Sequence, residues 1–132
     1  MEAPLSTTTQ TIFSADGLTI AGSCDASGNI TVDATGPNAN NGELRIQGNT
    51  AVGGALTSSA FFQNVFNFGS ASAVSLVSTD GAKTEGSGQL VYATNDGHVL
   101  TFDYGFDFGS TPDSAYDLNW PGCTLYGEVV YS

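Results

Sequence analysis

Basic residues are almost absent from the sequence. Arg45 and Lys83 are the only two, against 13 acidic residues, and the formal net charge at pH 7 is −11. Nucleic acids and anionic membrane surfaces are bound through clusters of Lys and Arg. The shortage of basic residues therefore argues against both as partners.

Charged residues of either sign are also scarce, at 11% against about 25% in ordinary domains. No run approaches the ~18 uncharged apolar residues of a membrane span, so membrane insertion is not expected. The first residues lack the basic and apolar segments of a signal peptide, and we expect any such signal to be absent from this chain. A surface of Ser, Thr, Asn and Gly is typical of extracellular or cell-surface β-proteins. Adaptation to high salt is the alternative reason for the acidic excess.

Side chains that perform catalysis are few. His98 is the only histidine, it lies beside a turn, and no G-x-S-x-G motif is present. Asp103 and Asp107 share a strand face but lie roughly 13 Å apart, outside the range of about 5–9.5 Å used by glycosidases. A cross-strand carboxylate such as Glu128 or Asp33 could lie closer. We expect no catalytic residues and no enzymatic activity.

Only two cysteines occur, Cys24 and Cys123. Their separation excludes a C-x-x-C redox motif and any multi-cysteine zinc site. Two buried thiols are one interpretation, but the extracellular composition favours a disulfide. Each cysteine lies on the apolar face of a predicted strand, so both point to the core. A bond requires residues 123–131 to lie next to or across from residues 18–24.

An alternating pattern over ten residues, VLTFDYGFDF, dominates the C-terminal half. Period two indicates a strand with one aromatic face, which we expect to be the central strand. The preceding segment GQLVY forms its hairpin partner. A three-residue loop at residues 95–97 sets Leu90 opposite Phe102, whereas a two-residue turn would direct Leu90 away. Because the hydrophobic pattern sets the register, the longer loop is favoured, with Gly97 in a left-handed conformation.

Further Gly-terminated loops at residues 15–17 and 26–28 predict two more hairpins, and the second sets Ile30 opposite Cys24. Residues 48–59 are interpreted as a long Gly-rich connection. The whole pattern predicts an all-β fold, an antiparallel β-sandwich of jelly-roll-like type with about eight or nine short strands. At most one short helical turn is expected. Residues 1–10 are predicted to be a flexible lead-in, and residues 11–132 a single domain.

The segment AFFQNVFNF at residues 60–68 is ambiguous. The phenylalanine spacing fits a strand, and part of it fits one helical turn, but Asn and Phe are mediocre helix formers and a strand is favoured. Aromatic residues in such number are either core or an exposed contact. Four residues are therefore candidates for self-association, and a homo-oligomer is a candidate state: Phe61, Phe62, Phe66 and Phe68.

Carbohydrate binding would use exposed aromatic rings as stacking platforms. Tyr116 and Trp120 lie in a polar loop, and with nearby Asp103 and Asp107 they are the candidate ligand-binding residues. The alternative for Trp120 is that it covers one end of the core.

A metal site is only weakly indicated. Residues 25–29 and the group Asp107, Asp113 and Asp117 offer oxygen ligands, but neither has the full set that calcium needs. We therefore expect no metal and no cofactor as the default, with calcium as the one ion to test.

Three segments together resemble uncharacterised secreted all-β domains of actinobacteria, which often follow collagen-like or low-complexity segments. These are FSADGLTIAGSCDASGNITVDA, GHVLTFDY and CTLYGEVVY. The resemblance implies an extracellular domain able to self-associate and supplies no catalytic residues. The sequence as a whole predicts a non-enzymatic extracellular structural or adhesive module. The alternative is a carbohydrate-binding module assisted by calcium, with an extracellular glycan or protein as partner.

Overall fold

The computed structural model describes residues 2–5, 7–25, 30–37, 42–52, 58–69, 73–78, 84–108 and 123–132. They form ten β-strands and no helix: β1 Glu2–Leu5, β2 Gln10–Ala15, β3 Leu18–Cys24, β4 Ile30–Thr35, β5 Gly42–Val52, β6 Ser58–Phe68, β7 Val74–Ser78, β8 Thr84–Ala93, β9 Val99–Phe108 and β10 Cys123–Tyr131. No helix long and apolar enough to cross a bilayer occurs in these ranges.

Two antiparallel sheets contain the ten strands. One has six strands in the order β1-β10-β9-β8-β5-β6, and the other has four in the order β2-β3-β4-β7. Alternate residues of both sheets are buried in one common hydrophobic cluster. The antiparallel β-sandwich is therefore confirmed. Its largest fully buried side chains are Tyr92, Phe68, Phe102, Phe106, Leu18, Ile20, Ile30, Leu44, Ile46, Leu90 and Leu100.

The strand that the sequence did not predict is the N-terminal one, β1. Residues 1–10 are expected to be a flexible lead-in, and this expectation is wrong for Glu2–Leu5, which pairs antiparallel with β10 from Glu2–Tyr126 to Leu5–Cys123. The sequence pattern of these four residues is too short to indicate a strand. They are ordered because β10 offers a free edge beside them, and an edge tolerates Pro4.

The hairpin of β8 and β9 has the predicted register. Leu90 lies opposite Phe102, the Thr94 amide donates to the His98 carbonyl over 2.9 Å, and Gly97 has φ +94°. The three-residue loop is thus confirmed, and β9 is an interior strand. Cys24 also lies opposite Ile30, as expected. The loop at residues 26–28 lies outside the described residues.

The first hairpin has a shorter turn than predicted. Ala15 pairs with Leu18, so the loop contains only Asp16 and Gly17 rather than residues 15–17. Both have positive φ, 50° and 81°, which defines a type I′ turn whose twist matches that of the flanking strands. Asp-Gly is a preferred pair for this turn. The three-residue loop, predicted by analogy with the loop at residues 95–97, is therefore wrong here.

Most of the predicted Gly-rich connection at residues 48–59 is strand instead. β5 continues to Val52, and β6 begins at Ser58. The reason is tertiary: β5 lies between β6 and β8, and both of its edges are paired through Ala51. Pairing on two sides outweighs the weak strand propensity of this stretch.

Residues 60–68 are strand, as favoured. Phe62 and Phe66 are 60% and 69% exposed on the side away from the core, whereas Phe68 is fully buried. The pairing of β5 with β6 shifts between Gly42 and Leu44, opposite Val65 to Phe68. This β-bulge turns Phe68 inward, so its candidacy for self-association is wrong. The side chain of Phe61 is outside the described part.

Three aromatic rings on β9 form the centre of the core. Phe102 and Tyr104 stack with ring centroids 5.4 Å apart, and Tyr104 and Phe106 with centroids 6.5 Å apart. The neighbouring strands carry glycine at this level. A Cβ at Gly88 would lie 2.6 Å from Cζ of Tyr104, and a Cβ at Gly127 would lie 2.5 Å from Cε2 of Phe102. The rings therefore lie across adjacent strands in space that only glycine leaves open.

The predicted disulfide is present between Cys24 and Cys123, whose Cα atoms lie 5.8 Å apart. Cys24 ends β3 in the four-stranded sheet, and Cys123 begins β10 in the six-stranded sheet. The bond therefore joins the two sheets across the core.

Removing the disulfide should destabilise the domain strongly. The two cysteines are 99 residues apart, and closing a loop of this length restricts the unfolded chain by about 4–5 kcal/mol. We expect the double variant Cys24→Ala/Cys123→Ala to lose most of this free energy of unfolding in urea titrations. Wild-type protein treated with reductant should match the variant, and a loss below about 1 kcal/mol would contradict the expectation.

The hydroxyl of Tyr104 should be a liability in the core. Oη is buried without a hydrogen-bond partner among the described residues, and burial raises the pKa of this tyrosine above its ordinary value of 10.0. Tyr104→Phe should therefore raise the free energy of unfolding by about 1 kcal/mol at pH 7. Tyr126→Phe is the control, because Tyr126 is 51% exposed, and it should change nothing.

Alkaline pH provides a second test of the same side chain. Above about pH 10 the unfolded chain loses the Tyr104 proton while the folded chain keeps it. The stability of the wild type should consequently fall as pH rises beyond this point, and it should fall less steeply in Tyr104→Phe. Equal slopes in urea titrations from pH 9 to pH 11 would sink this explanation.

Candidate functional site

A groove runs across the outer face of the six-stranded sheet, the face that points away from the core. It has a volume of about 740 Å³. Phe62 on β6 borders it at one end, and Tyr126 on β10 borders it at the other end. Polar and small side chains of β5, β8 and β9 lie between these two rings. We call this feature the outer groove.

A row of polar side chains crosses the outer groove on three neighbouring strands. Gln47, Gln89 and Asp103 are direct cross-strand partners. Gln47 Nε2 donates to Gln89 Oε1 over 3.4 Å, and Gln89 Nε2 donates to Asp103 Oδ1 over 2.8 Å. These bonds fix the orientation of the Gln89 amide. Each amide and the carboxylate retain further donors or acceptors for a ligand.

Small residues form the floor beside the polar row. One step along the strands, Asn49 on β5 pairs with Ser87 on β8, and Ser87 pairs with Gly105 on β9. All three point to the outer face, because outward and inward side chains alternate along a strand. The groove exists because larger side chains surround this short row.

The ring of Tyr126 covers the end of the small row. A Cβ at Gly105 would lie 2.4 Å from Cζ of Tyr126, so the ring lies across β9 instead of projecting from the sheet. Half of the residue is still exposed, at 51%. A ring that lies along the sheet presents one face to solvent, and this is the arrangement that stacks with an apolar ligand face.

Phe62 borders the opposite side of the groove. Cζ of Arg45 lies 5.6 Å from the centroid of its ring, and Arg45 Nε donates to Asn64 Oδ1 over 3.3 Å. The guanidinium is thus held beside β6 by a cation–π contact and a hydrogen bond. Phe62 and the ring of Tyr126 over β9 are separated by about three strand spacings, or roughly 14 Å.

Two carboxylates lie side by side at the groove. Asp103 on β9 is the direct partner of Glu128 on β10, and such residues have Cβ atoms about 5 Å apart. Asp33, the other carboxylate considered with Glu128, lies on β4 in the other sheet. The Asp103 carboxylate bonds to Gln89 on its other side. Within the described ranges, no group of three His, Cys, Asp or Glu residues could hold a metal ion.

The predicted site residues are only partly visible. Asp103 lies in the outer groove. Asp107 is on the same strand, opposite Glu85, but its side chain is outside the described part. Tyr116, Trp120 and both metal-loop interpretations depend on residues outside the described ranges, so these predictions stay as they are.

His98, the only histidine, is at the exposed tip of the β8–β9 hairpin. Its Nε2 lies 3.8 Å from Oδ2 of Asp96, and the Thr94 hydroxyl donates to the same carboxylate. The hydroxyl bond, with the nearby imidazole, lowers the pKa of Asp96 below its ordinary value. Thr94, Asp96 and His98 therefore stabilise the hairpin loop through hydrogen bonds.

Sequence reasoning missed Gln47, Gln89 and Tyr126 as site residues. A signal existed for Gln89: the predicted hairpin register that sets Leu90 opposite Phe102 also sets Gln89 opposite Asp103. No signal existed for Gln47 or Tyr126. Their strands reach the groove through pairings that no short turn determines.

The comparisons with known proteins found no similar protein. No protein-family model, curated protein or solved structure matches this chain. The resemblance to secreted actinobacterial domains therefore stays a prediction.

Adjacent like charges at the groove should cost stability. Glu128→Gln removes the repulsion between Glu128 and Asp103, and we expect the free energy of unfolding at pH 7 and low salt to rise by about 0.2–1 kcal/mol. Glu43→Gln is the matched control, because exposed Glu43 lies opposite Ala93 and should gain nothing. The difference between the variants should shrink at 0.5 M salt, where exposed charges are screened. Equal gains in both variants would contradict the effect.

Proposed function

We propose that this chain is an extracellular, non-enzymatic adhesive module that binds neutral glycan chains in the outer groove. The observation that carries the proposal is the groove itself, with exposed rings at Phe62 and Tyr126 and a hydrogen-bonded row of amides and a carboxylate between them. This combines the structural or adhesive role expected from the sequence with its carbohydrate-binding alternative.

The chemistry of the groove matches both parts of a sugar. The apolar face of a pyranose ring packs on an aromatic ring, and its hydroxyl groups need oriented donors and acceptors. Tyr126 supplies a ring lying along the sheet, and the amides of Gln47 and Gln89 are already oriented by hydrogen bonds. Side chains held in place before binding reduce the entropy that binding costs.

Charge selects among glycans. Asp103 lines the groove and Glu128 lies beside it, and the chain carries a net charge of −11. Sulfated and uronic-acid polymers would be repelled by this field. The span of roughly 14 Å from Phe62 to the Tyr126 ring, at about 4.8 Å per strand, favours a segment of a chain over one monosaccharide. Neutral oligosaccharides are the class proposed.

An extracellular location is part of the same proposal. The disulfide between Cys24 and Cys123 is compatible with it, because structural disulfides persist in oxidising compartments. The low charge content and the Ser, Thr and Asn surface support it as well. Binding of glycans outside the cell gives an adhesive module its target.

An array of neutral and acidic glycans tests the proposal. We expect micromolar or weaker binding to neutral oligosaccharides, reduced about tenfold or more by Tyr126→Ala or Gln89→Ala. Tyr131→Ala is the matched control, because Tyr131 is on the same strand and equally exposed, at 53%, yet packs near Phe13. Binding that Tyr131→Ala reduces as much as Tyr126→Ala would refute the groove as the site.

Two additions to this experiment test whether binding needs calcium and whether the bound glycan is hydrolysed. The array is run with calcium and with chelator, and a calcium-assisted site would bind only in the first condition. The pairing of Asp103 with Glu128 makes a hydrolase the rival function, since retaining glycosidases hold two carboxyl groups about 5–5.5 Å apart. Release of reducing ends from a bound glycan, abolished by Glu128→Gln, would replace the adhesive proposal with that rival.

A further inference from the structure

We propose that two copies of this chain associate through the free edge of β6, which extends the six-stranded sheet across a two-fold axis. The two β6 strands pair antiparallel about Asn64, so that Phe62 of each copy packs on Phe66 of the other.

β6 is the least protected sheet edge in the described structure. It spans eleven residues, Ser58–Phe68, and no described strand pairs with its outer side. None of the eleven is charged and none is proline. An edge of this kind presents unpaired N–H and C=O groups as a template for another strand.

The other three edges carry features that hinder pairing. β1 has four residues and contains Pro4, β2 has a register shift between Thr11 and Phe13, and β7 has five residues. Short strands, proline and bulges are the devices by which proteins block edge pairing. β6 also has a register shift, between Val65 and Phe68, but its residues 58–65 pair with β5 without interruption.

The pattern of β6 specifies a second copy as the partner. Phe62 and Phe66 are both strongly exposed, at 60% and 69%, and they lie symmetrically about Asn64. In an antiparallel pair centred on Asn64, each Phe62 lies directly opposite a Phe66. Aromatic cross-strand pairs stabilise sheets, and a self-complementary patch produces a two-fold dimer.

Local charge permits this contact although the whole chain is strongly acidic. β5 presents Glu43 and Arg45 beside β6, so the nearest charges cancel, whereas Asp103 and Glu128 lie on the distant strands β9 and β10. The two copies of Arg45 would be three strand spacings apart, roughly 14 Å. This exceeds the Debye length of about 8 Å at physiological salt, so they repel weakly.

The dimer should be weak and dependent on salt. One strand pair with four rings lies at or below the lower limit of about 1,200 Å² for standard interfaces. We expect sedimentation equilibrium to show a monomer–dimer exchange that strengthens between 20 mM and 300 mM salt, as the net charge of −11 is screened.

Phe66→Lys tests the contact without disturbing the fold. This substitution places a charge opposite Phe62 of the other copy and should weaken the dimer by about tenfold or more. At low protein concentration, where the wild type is also a monomer, the melting temperature should not change, because Phe66 is 69% exposed. A wild-type chain that stays monomeric at every concentration and salt would overturn the proposal and leave the edge to a different extended segment.

A cysteine crosslink tests the register. In the proposed pair, the two copies of Asn64 face each other with Cα atoms about 4.5–5.5 Å apart, within disulfide range. Asn64→Cys should therefore oxidise to a covalent dimer. Asn49→Cys, at an Asn that is also exposed and lies one strand inward on the same face, should stay monomeric. Crosslinking of both variants at the same rate, or of neither, would overturn the proposed register.

Discussion

The aromatic rings of β9 can lie along the six-stranded sheet only because the strands on either side carry glycine at the same level. Gly88 and Gly127 leave the space that the rings of Tyr104 and Phe102 occupy. Sheets in a sandwich lie about 10 Å apart, so rings that spread sideways fill the layer between them without forcing it wider. The buried cluster of both sheets is built around this contact.

The same alternation shapes the outer face. Because inward and outward residues alternate, the inward glycines and rings of β8, β9 and β10 are interleaved with outward Ser87, Gly105 and Tyr126. The groove is deepest where the outward residues are small. Tyr126 lies over Gly105 in the same way that Tyr104 lies beside Gly88. One constraint, a ring over a strand without a Cβ, thus recurs on both faces, filling the core on one and bordering a groove on the other.

Scarcity of charge has a structural consequence as well as a compositional one. Because charged side chains are few, the outer face is organised by side-chain amides that form hydrogen bonds with one another and with one carboxylate. The single described arginine is held against a ring and an amide beside β6. The adjacent carboxylates Asp103 and Glu128 lie on β9 and β10, whereas β6 carries no charged residue. The disulfide holds the two sheets together beneath this surface.

Features that depend on neighbours in the chain could be predicted from the amino-acid sequence. Alternation revealed the aromatic face of β9, short turns set Leu90 opposite Phe102 and Cys24 opposite Ile30, and inward cysteines predicted the disulfide, although not that it joins two sheets. The length of β5, the inward orientation of Phe68 and the row from Gln47 to Asp103 could not be predicted in this way. These depend on pairing between strands far apart in sequence, where no turn fixes the register and where two-sided hydrogen bonding outweighs local propensity.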